Sequence, residues 1–344
     1  MALIFCAINI CMIKYEEITA VHLELSTNCN ASCPLCPRNV CGSEYNAGYP
    51  ITELTLADIK KIFDPQFILQ LRRVLINGNL GDFILAREGL EIVEYFKQVN
   101  PNIEITISTN GSARTTSFWE KLGSLNTIID FCIDGLENIH ELYRKDTNFN
   151  TIIKNAQSFM SAGGIAHWKM IKFDHNIHQI NQCRELAESL GFTQFNVVDH
   201  GRSNSKVYSK KGEYLYSFGT TELREQSITD IIYWTSINSK NKEHYKDIIK
   251  PTITCDTKKE KMIYVAANGD ISPCCYLGFY PQTYDTELMI GNDEIKLLLD
   301  GVANNAKERP LSECLAWFNK VEETWKKESF EAGRLWRCNH HCGN

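Results

Sequence analysis

The chain is 344 residues long, 43% hydrophobic, and carries a formal net charge of -6. That length suits about two domains with a sizeable core, which excludes a disordered or collagen-like chain, and the acidic balance excludes coating of nucleic acid by bulk electrostatics. Fourteen cysteines exceed ordinary usage yet fall short of a small disulfide scaffold, so they need their own explanation.

Residues 1–13 are almost wholly apolar, but the run lacks a basic start and a small-residue cleavage pattern, and it is too short to span a bilayer. With residues up to 19 it reads as an N-terminal extension. No membrane partner is expected, and a cytoplasmic location is. In that reducing compartment clustered cysteines more often bind metal than pair as disulfides.

From there, apolar runs alternate with helical patterns. Strands are predicted at 21–25, 73–76, 103–107, 128–133, 166–172 and 194–198, with helices at 55–63, 84–99, 116–122, 149–161 and 177–190 between them. Asn100-Pro101, Gly163-Gly164 and Gly191 supply stops, and Thr55 with Asp58 supplies a start. The expected fold is α/β, a partial (βα)6 barrel over residues 20–200, with its chemistry on the loops at the C-terminal ends of the strands.

Residues 201–250 lose the alternation and read as a connector. The stretch 201–261 holds 12 Lys and Arg against 8 Asp and Glu, and Tyr208, Tyr214, Tyr216, Tyr233 and Trp234 lie among them. A solvated connector with packed aromatics and a surface for an anionic or aromatic substrate both fit. Residues 251–344 form a second cysteine-rich region.

The first cysteine group follows the first strand: Ser26-Thr27-Asn28-Cys29-Asn30-Ala31-Ser32-Cys33-Pro34-Leu35-Cys36-Pro37-Arg38. A C-x3-C-x2-C loop can hold three irons of a 4Fe-4S cube and leave the fourth open to an external ligand. Cys41, five residues on, could instead close a zinc site.

This loop resembles the signature of the radical S-adenosylmethionine (radical SAM) superfamily. The resemblance implies that Cys29, Cys33 and Cys36 hold a 4Fe-4S cluster, that S-adenosyl-L-methionine binds its open iron, and that reductive cleavage yields a 5'-deoxyadenosyl radical. Gly78-Asn79-Leu80-Gly81-Asp82 looks like the family's Gly-Gly-Glu-Pro stretch, with Gly81 and Asp82 set against the SAM ammonium. Ser108-Thr109-Asn110-Gly111 resembles its Thr-Asn-Gly, so Ser108 and Asn110 are implied SAM contacts. Cys132-Ile133-Asp134-Gly135-Leu136 resembles its Ser-Ile-Asp-Gly-Leu, followed by His140 and Arg144. Arg144 suits the SAM carboxylate; Asp134 and Arg144 are the catalytic candidates, with turn capping an alternative role for Asp134 and His140. Cys132 reads as a buried small residue. Leu35 and Phe83 depart from the family's aromatic and proline at those places.

In the second region Cys255-x13-Gly269-x4-Cys274 frames a hairpin of strands 262–265 and 270–272, and Cys338-x3-Cys342 follows a helical stretch at 314–335. Four thiolates suit a second, auxiliary 4Fe-4S cluster or a zinc. The pattern resembles the SPASM/twitch extension of radical SAM enzymes, which implies Cys255, Cys274, Cys338 and Cys342 as ligands, with Cys275 or Cys314 as substitutes; His340 and His341 keep a Cys/His zinc site open.

The resulting expectation is a radical SAM enzyme, oxidoreductase or lyase in type. Its substrate is a small molecule or a peptide, its reductant a flavodoxin or ferredoxin; nucleic acid is not expected. With 28 residues before Cys29, no leader-peptide-binding domain is expected upstream. The alternative is a non-catalytic iron-sulfur or zinc protein for electron transfer or scaffolding.

Overall fold

The computed structural model describes residues 12–44, 48–199, 205–218, 252–279, 292–329 and 332–343. The apolar start up to residue 11, with Cys6 and Cys11, and the connector aromatics Tyr233 and Trp234 lie outside them. Six parallel strands stand in chain order: β1 (Ala20–Leu23), β2 (Arg73–Ile76), β3 (Glu104–Thr109), β4 (Ile128–Cys132), β5 (Ile165–Ile171) and β6 (Gln194–Val198). Between them run α1 (Leu56–Ile62), α2 (Pro65–Gln70), α3 (Gly89–Val99), α4 (Thr116–Ser124), α5 (Glu137–Tyr143), α6 (Phe149–Ser161) and α7 (Ile180–Leu190). This is the α/β partial barrel expected from the alternation.

Local chemistry sets these elements. Thr55 and Asp58 form a capping box at the start of α1, with Asp58 N–H donating to Thr55 Oγ1 at 3.1 Å and Thr55 N–H to Asp58 Oδ2 at 3.0 Å, worth about 1 kcal/mol. Gly191 ends α7 at φ 91°, a left-handed cap. On the helix-covered side of the sheet, Trp119, Phe131, Phe159, Trp168 and Phe192 interlock with ring centroids 5.4 to 6.2 Å apart. Burial of each such ring stabilises by roughly 1.5–3 kcal/mol.

Several expectations change. The helix expected at 84–99 begins only at Gly89, because Asp82 accepts from the Ile84 N–H at 3.2 Å and holds Phe83–Leu85 in a 3-10 turn. Helices α2 and α5 are additional; both are short and barely periodic. The connector contains an antiparallel hairpin, β7 (Ser205–Tyr208) with β8 (Tyr214–Phe218), turning at Gly212 with φ 78°. The helical stretch expected at 314–335 divides into Leu311–Cys314 and Phe318–Trp325, and Trp336–Cys342 forms a further helix.

The expected second hairpin is present as β9 (Met262–Val265) and β10 (Ile271–Ser272). It does not stand apart: β9 pairs in parallel with β1, so the sheet runs β10-β9-β1-β2-β3-β4-β5-β6 without a break.

Candidate functional site

All six parallel strands end on one side of the sheet, and the loops that leave β1 to β4 meet there. The cysteine loop after β1 lies in a small apolar cluster: Ala31, Cys33, Tyr143, Ile171, Phe173 and Val207 are buried, with Cys29, Leu35, Cys36 and Tyr216 against them. Val207 and Tyr216 belong to the β7–β8 hairpin, which therefore covers this loop. Lys145 fastens it, donating to Gly42 O at 2.6 Å and Tyr208 O at 2.7 Å.

Burial pushes the Cys29 thiol far up, reinforced by nearby Asp82. The Cys33 thiol rises to about 11 by burial, with the Arg144 guanidinium pulling the other way. Each of these cysteines feels a neighbour in the triplet: Cys29 feels Cys33, and Cys33 feels Cys36. Buried thiols gathered in this way suit metal ligation, in which binding displaces the proton, better than nucleophilic attack.

The turn after β2 is built by two carboxylates. Glu24, fully buried at the end of β1, accepts the Leu80 and Gly81 N–H groups at 2.8 and 3.2 Å on Oε1 and the Tyr264 hydroxyl at 2.5 Å on Oε2. Gly81 packs so closely on the β1 loop that a Cβ would stand 1.7 Å from Ser26 O, so no side chain fits there. Asp82, expected to face a ligand with its carboxylate, accepts four hydrogen bonds instead: Thr109 Oγ1 at 2.6 Å and Ile84 N–H on Oδ1, Asn110 N–H at 2.8 Å and Asn110 Nδ2 at 2.9 Å on Oδ2. It clamps the second loop to the third.

Asn110 extends that clamp toward the cysteines, with Nδ2 3.0 Å from Asn30 Oδ1 and 3.6 Å from Cys29 Sγ. Ser108 does not join it; on β3 itself, its hydroxyl points to Asp130 Oδ2 at 3.4 Å. Asp134 is fully buried and accepts from Arg144 Nε and the Ile171 N–H, each at 2.6 Å. Asp134 thus holds the Arg144 side chain in an ion pair, and that side chain keeps 15% exposure beside Cys33.

His140, also sealed, accepts the Asp134 N–H on Nδ1 at 3.0 Å, which leaves Nε2 protonated and 3.0 Å from Thr147 Oγ1. Desolvation lowers its pKa to about 4.

The second cysteine group also gathers. Thr254 N–H donates to Cys342 O at 2.8 Å and Ile253 bridges Gly343, which sets Cys255 beside the last helix. Cys338 and Cys342 stand four apart on that helix and share a face. Burial raises Cys338 to about 12, with Cys342 and Cys255 adding to it; Cys274, well above its ordinary value, feels Cys275, Cys338 and Cys255. Cys275 opens a separate short helix, Cys275–Gly278, and is felt by Cys342. Cys314 is fully buried in the main core.

Among the described residues no three Cys, His, Asp or Glu side chains converge on a single metal ion. Tetrahedral zinc, with bonds of about 2.3 Å, needs such convergence, whereas a cube spreads its thiolates over separate irons. No described helix is long and apolar enough to cross a membrane.

Sequence reasoning missed Glu24, Asn79 and Tyr264. Asn79 Nδ2 donates to Tyr264 Oη at 3.1 Å and to Cys275 O at 3.0 Å, so these residues join the first site to the second. The available signal was a glutamate inside an apolar strand.

No protein-family model matches the chain. A curated relative, a cysteine-type anaerobic sulfatase-maturating enzyme of Clostridium novyi (strain NT), is 27% identical over 142 residues, which is 38% of this chain and 37% of that protein. Streptococcus suis SuiB bound to S-adenosylmethionine superposes with TM-score 0.54 at 14% identity, covering 88% of this chain and 65% of SuiB. The native anSMEcpe structure with AdoMet and the Cp18Cys peptide gives TM-score 0.51 at 14% identity, covering 93% of this chain and 90% of that one. These likenesses show that the chain shares the fold of SuiB and anSMEcpe, with its C-x3-C-x2-C loop at the C-terminal mouth of the open parallel barrel.

Proposed function

We propose that Cys29, Cys33 and Cys36 hold a 4Fe-4S cluster whose open iron takes S-adenosyl-L-methionine, and that the chain uses this pair on a peptide or small-molecule substrate. When bound, the pair supplies a 5'-deoxyadenosyl radical able to abstract a hydrogen atom. The carrying observation is the convergence of four strand-end loops: Asp82 fixes Asn110 beside Cys29, and Asp134 fixes Arg144 beside Cys33.

Within this reading Arg144 binds the SAM carboxylate, and the turn holding Gly81 offers backbone to its ammonium. The β7–β8 hairpin keeps water from the cysteine loop. Cys255, Cys274, Cys338 and Cys342 hold an auxiliary 4Fe-4S cluster, which makes the enzyme a twitch-type oxidoreductase drawing on a reductant such as flavodoxin or ferredoxin. A peptide carrying cysteine is the first substrate to try, given the cysteine-type relative and the neighbour holding the Cp18Cys peptide.

Anaerobic reconstitution tests both parts. About eight irons per chain and SAM-dependent 5'-deoxyadenosine are expected; about four irons would remove the auxiliary cluster, and absence of 5'-deoxyadenosine would remove the enzyme reading.

A further inference from the structure

The face of the sheet away from the helices carries an array of its own. Along β3, β4 and β5 the residues Ile105, Ile107, Ile129, Phe131, Ala166, Trp168 and Met170 are fully buried in the helix-covered core. By the two-residue alternation of strands, Ser108, Asp130, Cys132, His167 and Lys169 take the inner face. A closed barrel fills that face with layers of branched apolar side chains. Here it is polar, and the side chains of His167, Asp130 and Lys169 keep 14%, 17% and 35% exposure.

Register makes this a group. Asp130 stands opposite His167 across β4 and β5 and opposite Ser108 across β3 and β4, while Cys132 stands opposite Lys169. His167 Nδ1 lies 3.0 Å from Asp130 Oδ1. A carboxylate oxygen accepts, so Nδ1 carries a proton, and in the neutral ring Nε2 keeps its lone pair. Among the described residues Nε2 has no hydrogen-bond partner, and it is not one of the sealed, unsatisfied polar atoms. Lys169 Nζ at 3.5 Å and Ser108 Oγ at 3.4 Å hold the other carboxylate oxygen. Arg144 and Lys169 both act electrostatically on Cys132, so the array lies within the field of Arg144.

We propose that Asp130 and His167 form a carboxylate–imidazole dyad that takes the proton of an alcohol or thiol on a substrate lying along this inner face. The O–H or S–H bond breaks with its electron pair left on oxygen or sulfur, and the proton forms Nε2–H. The imidazolium charge is offset by Asp130, the logic by which a carboxylate fixes the tautomer of a catalytic histidine. The substrate class follows: the reacting carbon bears a hydroxyl or a thiol. This deepens the radical SAM reading, and it rests on that reading for the hydrogen abstraction alone.

Diethyl pyrocarbonate, which acylates accessible unprotonated imidazole nitrogens, is the probe, applied to the full reconstituted chain with mass-spectrometric mapping and ring-nitrogen NMR. His167 is expected to react at Nε2, while His140 and His22, buried with bonded ring nitrogens, stay unmodified. Asp130→Asn is expected to slow His167 acylation about tenfold and to move its proton from Nδ1 to Nε2. An unreactive His167, equal rates in wild type and Asp130→Asn, or an Nε2-protonated ring in the wild type would each overturn the dyad. The NMR reading of the wild type stands even where the variant misfolds. Formation of 5'-deoxyadenosine by the same wild-type sample reports separately on the radical SAM reading.

Discussion

The two cysteine groups reach similar ends by different routes. Cys29, Cys33 and Cys36 come from eight consecutive residues on one loop and sit beside charged and amide side chains, Asp82, Asn110 and Arg144. Cys255, Cys274, Cys338 and Cys342 come from three separate segments, and the first three of them pack against the apolar core. A local loop can be assembled early and left open to a ligand. A centre drawn from distant segments also ties those segments together, so its removal is expected to be felt in stability as well as in iron content.

The sharpest break of this comparison is Cys33→Ala against Cys338→Ala. Each should lower the iron count by about four per chain. Cys33→Ala should abolish SAM-dependent 5'-deoxyadenosine formation with little change in melting temperature. Cys338→Ala should lower the melting temperature by several degrees, measured by calorimetry of reconstituted protein. Equal thermal effects would erase the proposed difference.

Next in size, Asp134→Asn leaves the Arg144 guanidinium without its ionised partner in a sealed setting. Breaking such a pair costs about 3–5 kcal/mol, which chemical denaturation would read, and binding of SAM should weaken with it. An acid effect of about 3 kcal/mol for each histidine is expected from His22 and His140, both held near 4 against an ordinary 6.5 by desolvation. Their folded-state pKa is depressed, so the neutral ring is the native form. The stability is present above about pH 6.5 and is lost as pH falls through 6.5 toward 4; a denaturation midpoint flat across that window would refute it.

Gly81→Ala forces a methyl into Ser26 O, and overpacking of this kind costs about 1–3 kcal/mol. The smallest expected change is Tyr264→Phe, which removes one donor from buried Glu24 at a cost of about 1–3 kcal/mol. Its interest is that it links the two sites, so an altered electron paramagnetic resonance signal from either reduced cluster would show the link to be felt at the irons.

Legibility in the sequence followed locality. The strands were readable because buried parallel strands are apolar runs punctuated by Gly and Pro, and the cysteine triplet because its spacing is local. The β7–β8 hairpin is hard to read in the sequence because, among its residues with described burial, Val207 alone is fully buried amid Lys, Ser and Tyr. The partners of Asp82 and Asp134 are not legible from spacing, because they lie elsewhere in the chain: Thr109 and Asn110 for the first, Ile171 and Arg144 for the second. No spacing rule joins Glu24 to Tyr264, 240 residues apart, and the inner-face array appears only when β4 and β5 are set in register.

The pairing of β9 with β1 bears on how the protein is made. The strand that launches the first cysteine loop has β2 on one side, delivered within about fifty residues, and β9 on the other, delivered some 240 residues after it. On the ribosome the half-made sheet therefore exposes a bare edge at β1, the kind of edge that invites pairing with another chain. Contacts of such long range are slow to form. A first cysteine loop formed before β9 arrives stands against an unfinished wall, so the sheet itself ties the finishing of that loop's surroundings to the arrival of β9.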